Sequence, residues 1–300
     1  ENGESDWIND SSFSLSVKHL KAYKFASGGL DTTEIIDEKY AISTGTLEHG
    51  RIMVFFVSKN FVIRSFNKNN INLRLFSTSK TVSTIFDYGR LVQEIFSALA
   101  FYETKIGPFI YREEFDVMAT GVNGFAMEYS GIVQEGYDFD TSWGGYETVA
   151  HESGHQFFYS TIGSNSYLDP FIDEGFTNFI TTYWLGTSAL ESAKSTYKSY
   201  YSNYGPIIKN IGNSMEYFDT KDDFFTSLAI YYGTTVVLYE MLVKYGSSKI
   251  DALLKLIYDT FAFKSLNREG LLWCIEMSFS LEVRNTFSEV ITTGYIPDMF

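Results

Sequence analysis

The chain has 300 residues, 45% of them apolar, and a formal net charge of −14. That apolar content can fill a large core in one domain or two, and no run is long and apolar enough to span a membrane. The acidic balance argues against a nucleic-acid partner, because a phosphate backbone needs a basic footprint.

The polar opening Glu1-Asn2-Gly3-Glu4-Ser5-Asp6 has no initiating methionine. It suits a mature chain whose signal peptide has been removed, or a trimmed one. The expectation is an exported bacterial protein, extracellular or in the cell envelope. Residues 1–80 carry strand signals. Phe13, Leu15 and Val17 alternate with polar residues, as do Ile52, Val54 and Phe56. The runs Phe61 to Phe66 and Ile71 to Phe76 flank Asn67-Lys68-Asn69-Asn70 and read as a hairpin. From about residue 82 the period changes to helical: Ile85, Tyr88, Leu91, Ile95, Leu99 and Tyr102 lead up to the breaker Gly107-Pro108. Short strands follow at Phe115 to Met118, Phe125 to Tyr129 and Ile132 to Gln134. A helix over 146–161 comes next, and the remainder is mostly helical. A small mixed sheet followed by helices is an α+β pattern, divided into a β-rich segment at 1–80 and a second domain at 81–300. The abundant aromatics are read mainly as core filling, and the single Cys274 as a buried, inert thiol.

Chemistry concentrates in His151-Glu152-Ser153-Gly154-His155. Residues four apart share one helix face, so both imidazoles can bind one metal ion, and Glu152 stands beside them as a base for a metal-bound water. Hydrolytic zinc takes three protein ligands and keeps one position open. Glu174 follows His155 after eighteen intervening residues, in Phe171-Ile172-Asp173-Glu174-Gly175-Phe176, where apolar positions at helical spacing follow Pro170. The turn-rich Gly163-Ser164-Asn165-Ser166-Tyr167 would let a second helix return Glu174 to the metal. Asp173 competes for that role, but adjacent helical residues point apart and only one can fit; Glu174 is the choice. Asn178, one turn further on, is a candidate hydrogen-bond partner for a ligand histidine.

These residues resemble the signature of the M1 peptidase family, the gluzincin group that includes aminopeptidase N and leukotriene A4 hydrolase: HExxH, eighteen residues, then Glu. Upstream, Phe125-Ala126-Met127-Glu128-Tyr129 is similar to the family's GxMEN substrate-binding strand, with Phe125 in the glycine place and Tyr129 in the asparagine place. Thr293-Gly294-Tyr295-Ile296-Pro297 resembles the close of the family's catalytic domain. The resemblance covers the chain from about residue 82 onward. It implies a thermolysin-like catalytic domain, one zinc ion (Zn²⁺) held by His151, His155 and Glu174, and a peptide or protein substrate. It also implies substrate binding at Ala126, Met127 and Glu128, with Glu128 anchoring the free α-amine, and a tyrosine that donates to the oxyanion. In the family that tyrosine stands three residues before a glycine, where this chain has Ile230; Tyr231 is the choice and Tyr232 the fallback.

The expected activity is that of an aminopeptidase with Glu152 as general base. Tyr129, the short N-terminal part and the absence of the family's C-terminal helical domain leave open an endopeptidase with an open cleft. A peptide-binding or surface protein on a peptidase scaffold is the non-catalytic alternative.

Overall fold

The structure, a computed structural model, describes residues 8–78, 88–120, 125–136, 145–208, 210–218 and 226–296. The chain forms two compact units, one built from residues 10–100 and 109–156, the other including residues 101–108 and 157 onward.

In the first unit β1 (Ser11–Leu20) pairs antiparallel with β4 (Tyr40–Gly50), which pairs with β3 (Leu30–Ile35). Phe13, Leu15 and Val17 are half-buried while Ser14 and Ser16 are exposed, as the alternation requires. β2 (Lys24–Ala26) pairs with β5 (Phe56–Ser58). The run from Ile52 therefore becomes a strand only at Phe56. Val54 and Phe56 pack against a cluster of Ala26, Phe61, Phe76, Met118 and Ile132, so this periodicity serves packing more than pairing.

β6 (Val62–Lys68) and β7 (Ile71–Ser77) form the expected hairpin. Its turn residues Asn69 and Asn70 have φ of 53° and 59°, the left-handed pair of a type I′ turn that asparagine tolerates. α1 (Tyr88–Lys105) then buries Leu91, Ile95 and Leu99 and stops before Gly107-Pro108; its expected start at Ile85 lies outside the described residues. β7 continues in parallel with β8 (Phe115–Ala119), which pairs in parallel with β10 (Ile132–Glu135). The edge strand β9 (Met127–Tyr129) closes this five-stranded sheet antiparallel to β10 and is shorter than the expected Phe125 to Tyr129. The β-rich N-terminal stretch and the strands beyond residue 80 thus share one sheet. α2 (Gly145–Gly154) packs on β9 and β10.

Among its described residues, the second unit is mostly helical, with the short parallel pair β11 (Ile162–Gly163) and β12 (Lys264–Ser265). A π-helical turn (Phe171–Gly175) runs into α3 (Phe176–Leu185), followed by α4 (Thr187–Ile208) and α5 (Met215–Phe218). A second π turn (Ser227–Gly233) runs into α6 (Thr234–Tyr245), and then come α7 (Ser247–Phe261), α8 (Arg268–Ser278) and α9 (Leu281–Thr293). α8 and α9 begin at side-chain caps, Asn267 accepting from the Gly270 N–H and Ser280 from the Val283 N–H. Tyr102, Phe157, Phe171, Phe176 and Phe179 are fully buried, so aromatics do fill this core. Cys274 is buried, and burial pushes its thiol up to about 11, which keeps it protonated and inert. Of the Thr293 to Pro297 motif, Pro297 lies outside the described residues.

Candidate metal centre

The first unit carries the histidine pair. The expected helix over 146–161 ends at Gly154, because glycine prolongs a helix poorly and the chain turns at 155–157. His155 therefore lies just past the helix, yet its N–H still reaches the His151 carbonyl at 3.3 Å. Helical spacing survives where it matters. The two rings stand 4.8 Å apart between centroids, and their Nε2 atoms face each other at 3.2 Å. Two ring nitrogens bound tetrahedrally to zinc at its usual Zn–N length lie about 3.3 Å apart, so the observed spacing fits a shared zinc ion. Glu152 is buried beside them, and Ser153 spends its hydroxyl on the Val149 carbonyl at 2.7 Å.

Glu128 occupies the middle of β9, opposite Val133 of β10. It is buried, and a carboxylate oxygen lies within 4.8 Å of a His155 ring nitrogen. Residues directly opposite in an antiparallel pair share a sheet face, so Glu128, Val133 and Glu135 project together. Ala126 precedes the strand and Met127 lies opposite Gln134. Tyr129, in the motif's asparagine place, falls on the other face and packs against the Phe61–Phe76 cluster. Burial and then the nearby Glu128 charge raise the pKa of its phenol. Glu135 is fully buried and, among the described residues, neither carboxylate oxygen has a hydrogen-bond partner. Burial raises its pKa well above the ordinary carboxylate range, the neutral form being far cheaper to bury than the charge.

The second unit carries the remaining candidates. Asp173 and Glu174 both lie in the first π turn and both are buried. Asp173 accepts a 2.7 Å hydrogen bond from the Ser166 hydroxyl. Arg268 braces the turn, holding Asp169 at 2.7 Å and lying over the Phe171 ring at 5.5 Å. Tyr231, half-buried with Tyr232, belongs to the second π turn. The first turn packs closely on the start of α6, directly after the second turn: a Cβ on Gly175 would stand 2.5 Å from the Thr234 side chain, so only glycine allows the approach. π turns insert one residue per turn and gather at functional sites. Asn178 donates from its amide nitrogen to the Tyr231 carbonyl at 3.2 Å and to the Thr235 hydroxyl at 2.8 Å, so its amide oxygen is the group that would accept from a ligand histidine's N–H.

One residue escaped the sequence reading. Gln156, 1% exposed, donates from Nε2 to the Tyr129 carbonyl at 3.0 Å and accepts at Oε1 from the Gly131 N–H at 2.9 Å. An amide beside a histidine leaves no periodic signal, and its partners lie more than twenty residues upstream.

No protein-family model and no curated protein matches the sequence. Solved structures match in fold. An M1 zinc metallopeptidase from Deinococcus radiodurans superposes with a TM-score of 0.79 at 17% identity, covering 99% of this chain and 66% of that one. A mutant of a two-domain M1 zinc metallopeptidase bound to L-tryptophan gives 0.79 at 16% identity, and the Deinococcus radiodurans mutant bound to a Tyr-Ser-Ala substrate gives 0.77 at 17%, each with coverage of 99% and 66%. The chain therefore has the fold of the M1 zinc metallopeptidases, a mixed architecture with a β-rich N-terminal part, and spans about two thirds of the length of these structures.

Proposed function

We propose that this protein is a zinc-dependent peptide hydrolase and, within that class, an aminopeptidase. The observation that carries the reading is the pair of Nε2 atoms of His151 and His155 facing each other at 3.2 Å with buried Glu152 beside them. The M1 fold supports it. His151, His155 and Glu174 would hold one zinc ion, two imidazoles and a carboxylate being a donor set that suits zinc. Glu174 is preferred to Asp173 because it stands eighteen intervening residues after His155, the spacing of the family's third ligand. Bound there, zinc would supply an activated water and polarise the scissile carbonyl. Glu152 takes the proton from the attacking water and delivers it to the leaving amine. Tyr231 donates to the oxyanion, with Tyr232 as the fallback. Glu128 pairs with the substrate's α-ammonium, a charge-assisted contact strengthened by burial, while Ala126 and Met127 line the same strand. Residues 81–300 would form a thermolysin-like catalytic domain, residues 1–80 a β-rich N-terminal segment, and the enzyme would act after export.

Metal analysis combined with a panel of aminoacyl amides and internally quenched peptides tests the reading. One zinc per chain and cleavage of aminoacyl amides are expected. Cleavage of N-terminally blocked peptides alone would assign an endopeptidase, and zinc without turnover a binding protein. Glu152→Gln should retain zinc while turnover falls by about a thousandfold or more, in keeping with loss of a general base.

A further inference from the structure

We propose that Gln156 is a positioning residue that fixes the distance between the His155 imidazole and the Glu128 carboxylate, and thereby the selection for a free α-amine. The inference rests on the peptidase reading above. Gln156 follows His155 directly, and the carbonyl its amide holds belongs to Tyr129, which follows Glu128 directly. The other end of the same amide holds Gly131, the last residue of the β9–β10 turn. One side chain therefore staples the backbone next to a metal-binding residue to the backbone next to the amine anchor.

The staple is needed on one side and firm on the other. α2 has ended at Gly154, so His155 has no helix beyond it, and the Gln156 N–H meets the Ser153 carbonyl at 3.3 Å. The hairpin turn is fixed independently. Gly131 has φ +75°, and a Cβ there would stand 1.9 Å from the Gly28 carbonyl oxygen. Ser130 accepts from the Arg51 N–H at 2.9 Å, and the Gly131 carbonyl accepts from the Asp116 N–H at 3.0 Å. Gln156 transmits that rigidity to His155, whose ring nitrogen lies within 4.8 Å of the Glu128 carboxylate. A purely structural glutamine would satisfy the same buried groups and contribute to stability alone.

Two variants of the full chain separate these roles. Gln156→Met keeps the volume and removes both hydrogen bonds; Gln156→Glu keeps an acceptor for the Gly131 N–H. Zinc affinity is measured by chelator competition, amine affinity by calorimetry with the free amino acids L-tryptophan and L-arginine, and folding by circular dichroism. In folded Gln156→Met, zinc and amine affinities each fall about tenfold or more, the scale seen when residues supporting metal ligands are lost. KM for aminoacyl substrates rises more than kcat falls, and Gln156→Glu lies between the variant and wild type. If Gln156→Met does not fold, Gln156→Glu carries the test, with loss of both affinities by about threefold or more. Affinities within twofold of wild type, with only a lowered Tm, overturn the proposal and leave the peptidase reading standing. A wild-type protein that binds no zinc defeats that reading, and this inference falls with it.

Discussion

Arg74 sits among three carboxylates, donating to Asp116 at 2.6 and 2.7 Å and to Asp31 and Glu114 at 2.7 Å. One guanidinium cannot neutralise three anions, so a proton is retained. Burial pushes Glu114 up to about 8 despite Arg74, and pushes Asp116 up to about 6. A carboxyl whose folded pKa is raised keeps a proton that the unfolded chain has already lost. Its stabilising effect is complete below the ordinary carboxylate range and drains away as pH rises towards about 8. Thermal melts should therefore show Tm falling between pH 5 and 8, and Glu114→Gln should flatten that slope; an unchanged slope would remove Glu114 as its source. At the candidate centre, Tyr231→Phe should lower kcat by about a hundredfold or more with little change in KM, the signature of a lost oxyanion donor. If Tyr232→Phe gives that result instead, the fallback holds the role. The histidine pair and Glu152 were legible because their chemistry needs only a four-residue spacing. Asn178 marks the limit of such a rule: spacing states which way a side chain points, while the Tyr231 carbonyl that meets it comes from fifty-three residues away.

Elements divided along similar lines. The β6–β7 hairpin could be read from its asparagines, because left-handed φ at two adjacent positions demands such residues. The β1 alternation could be read because one face is half-buried and the other is exposed. The first π turn left no trace in the pattern because all five of its residues are buried, so no polar face marks the change of phase that an extra residue brings. The end of α2 was missed because the apolar Phe157-Phe158 prolongs the helical appearance, whereas these residues are buried after the chain has turned. Gly175→Ala tests how tightly the first π turn depends on the start of α6. Its Cβ would stand 2.5 Å from Thr234, and overpacking of this kind costs about 1–3 kcal/mol. Zinc affinity should fall alongside stability if that turn carries a ligand. Chemical denaturation and chelator competition measure the two effects separately.

At the scale of the whole molecule, α+β architecture and a β-rich beginning were foreseeable from the change of period near residue 82. The pairing of β7 with β8 across α1 was not, because parallel pairing leaves no local mark in the sequence. Nor was the segment at 101–108, which packs with the later helices. Tyr102 meets the Thr181 hydroxyl at 3.1 Å, Lys105 meets Asp251 at 2.8 Å, and the Pro108 carbonyl accepts from Tyr258 at 2.8 Å. Residues 157–300 expressed alone would lack all three contacts and the fully buried Tyr102 ring. That fragment should show a broadened or absent thermal transition by circular dichroism, and a sharp native-like melt would show the segment to be dispensable. The chain crosses from one compact unit to the other after residues 9, 100, 108 and 156. Neither unit can therefore be gained, lost or exchanged by joining a single stretch of gene.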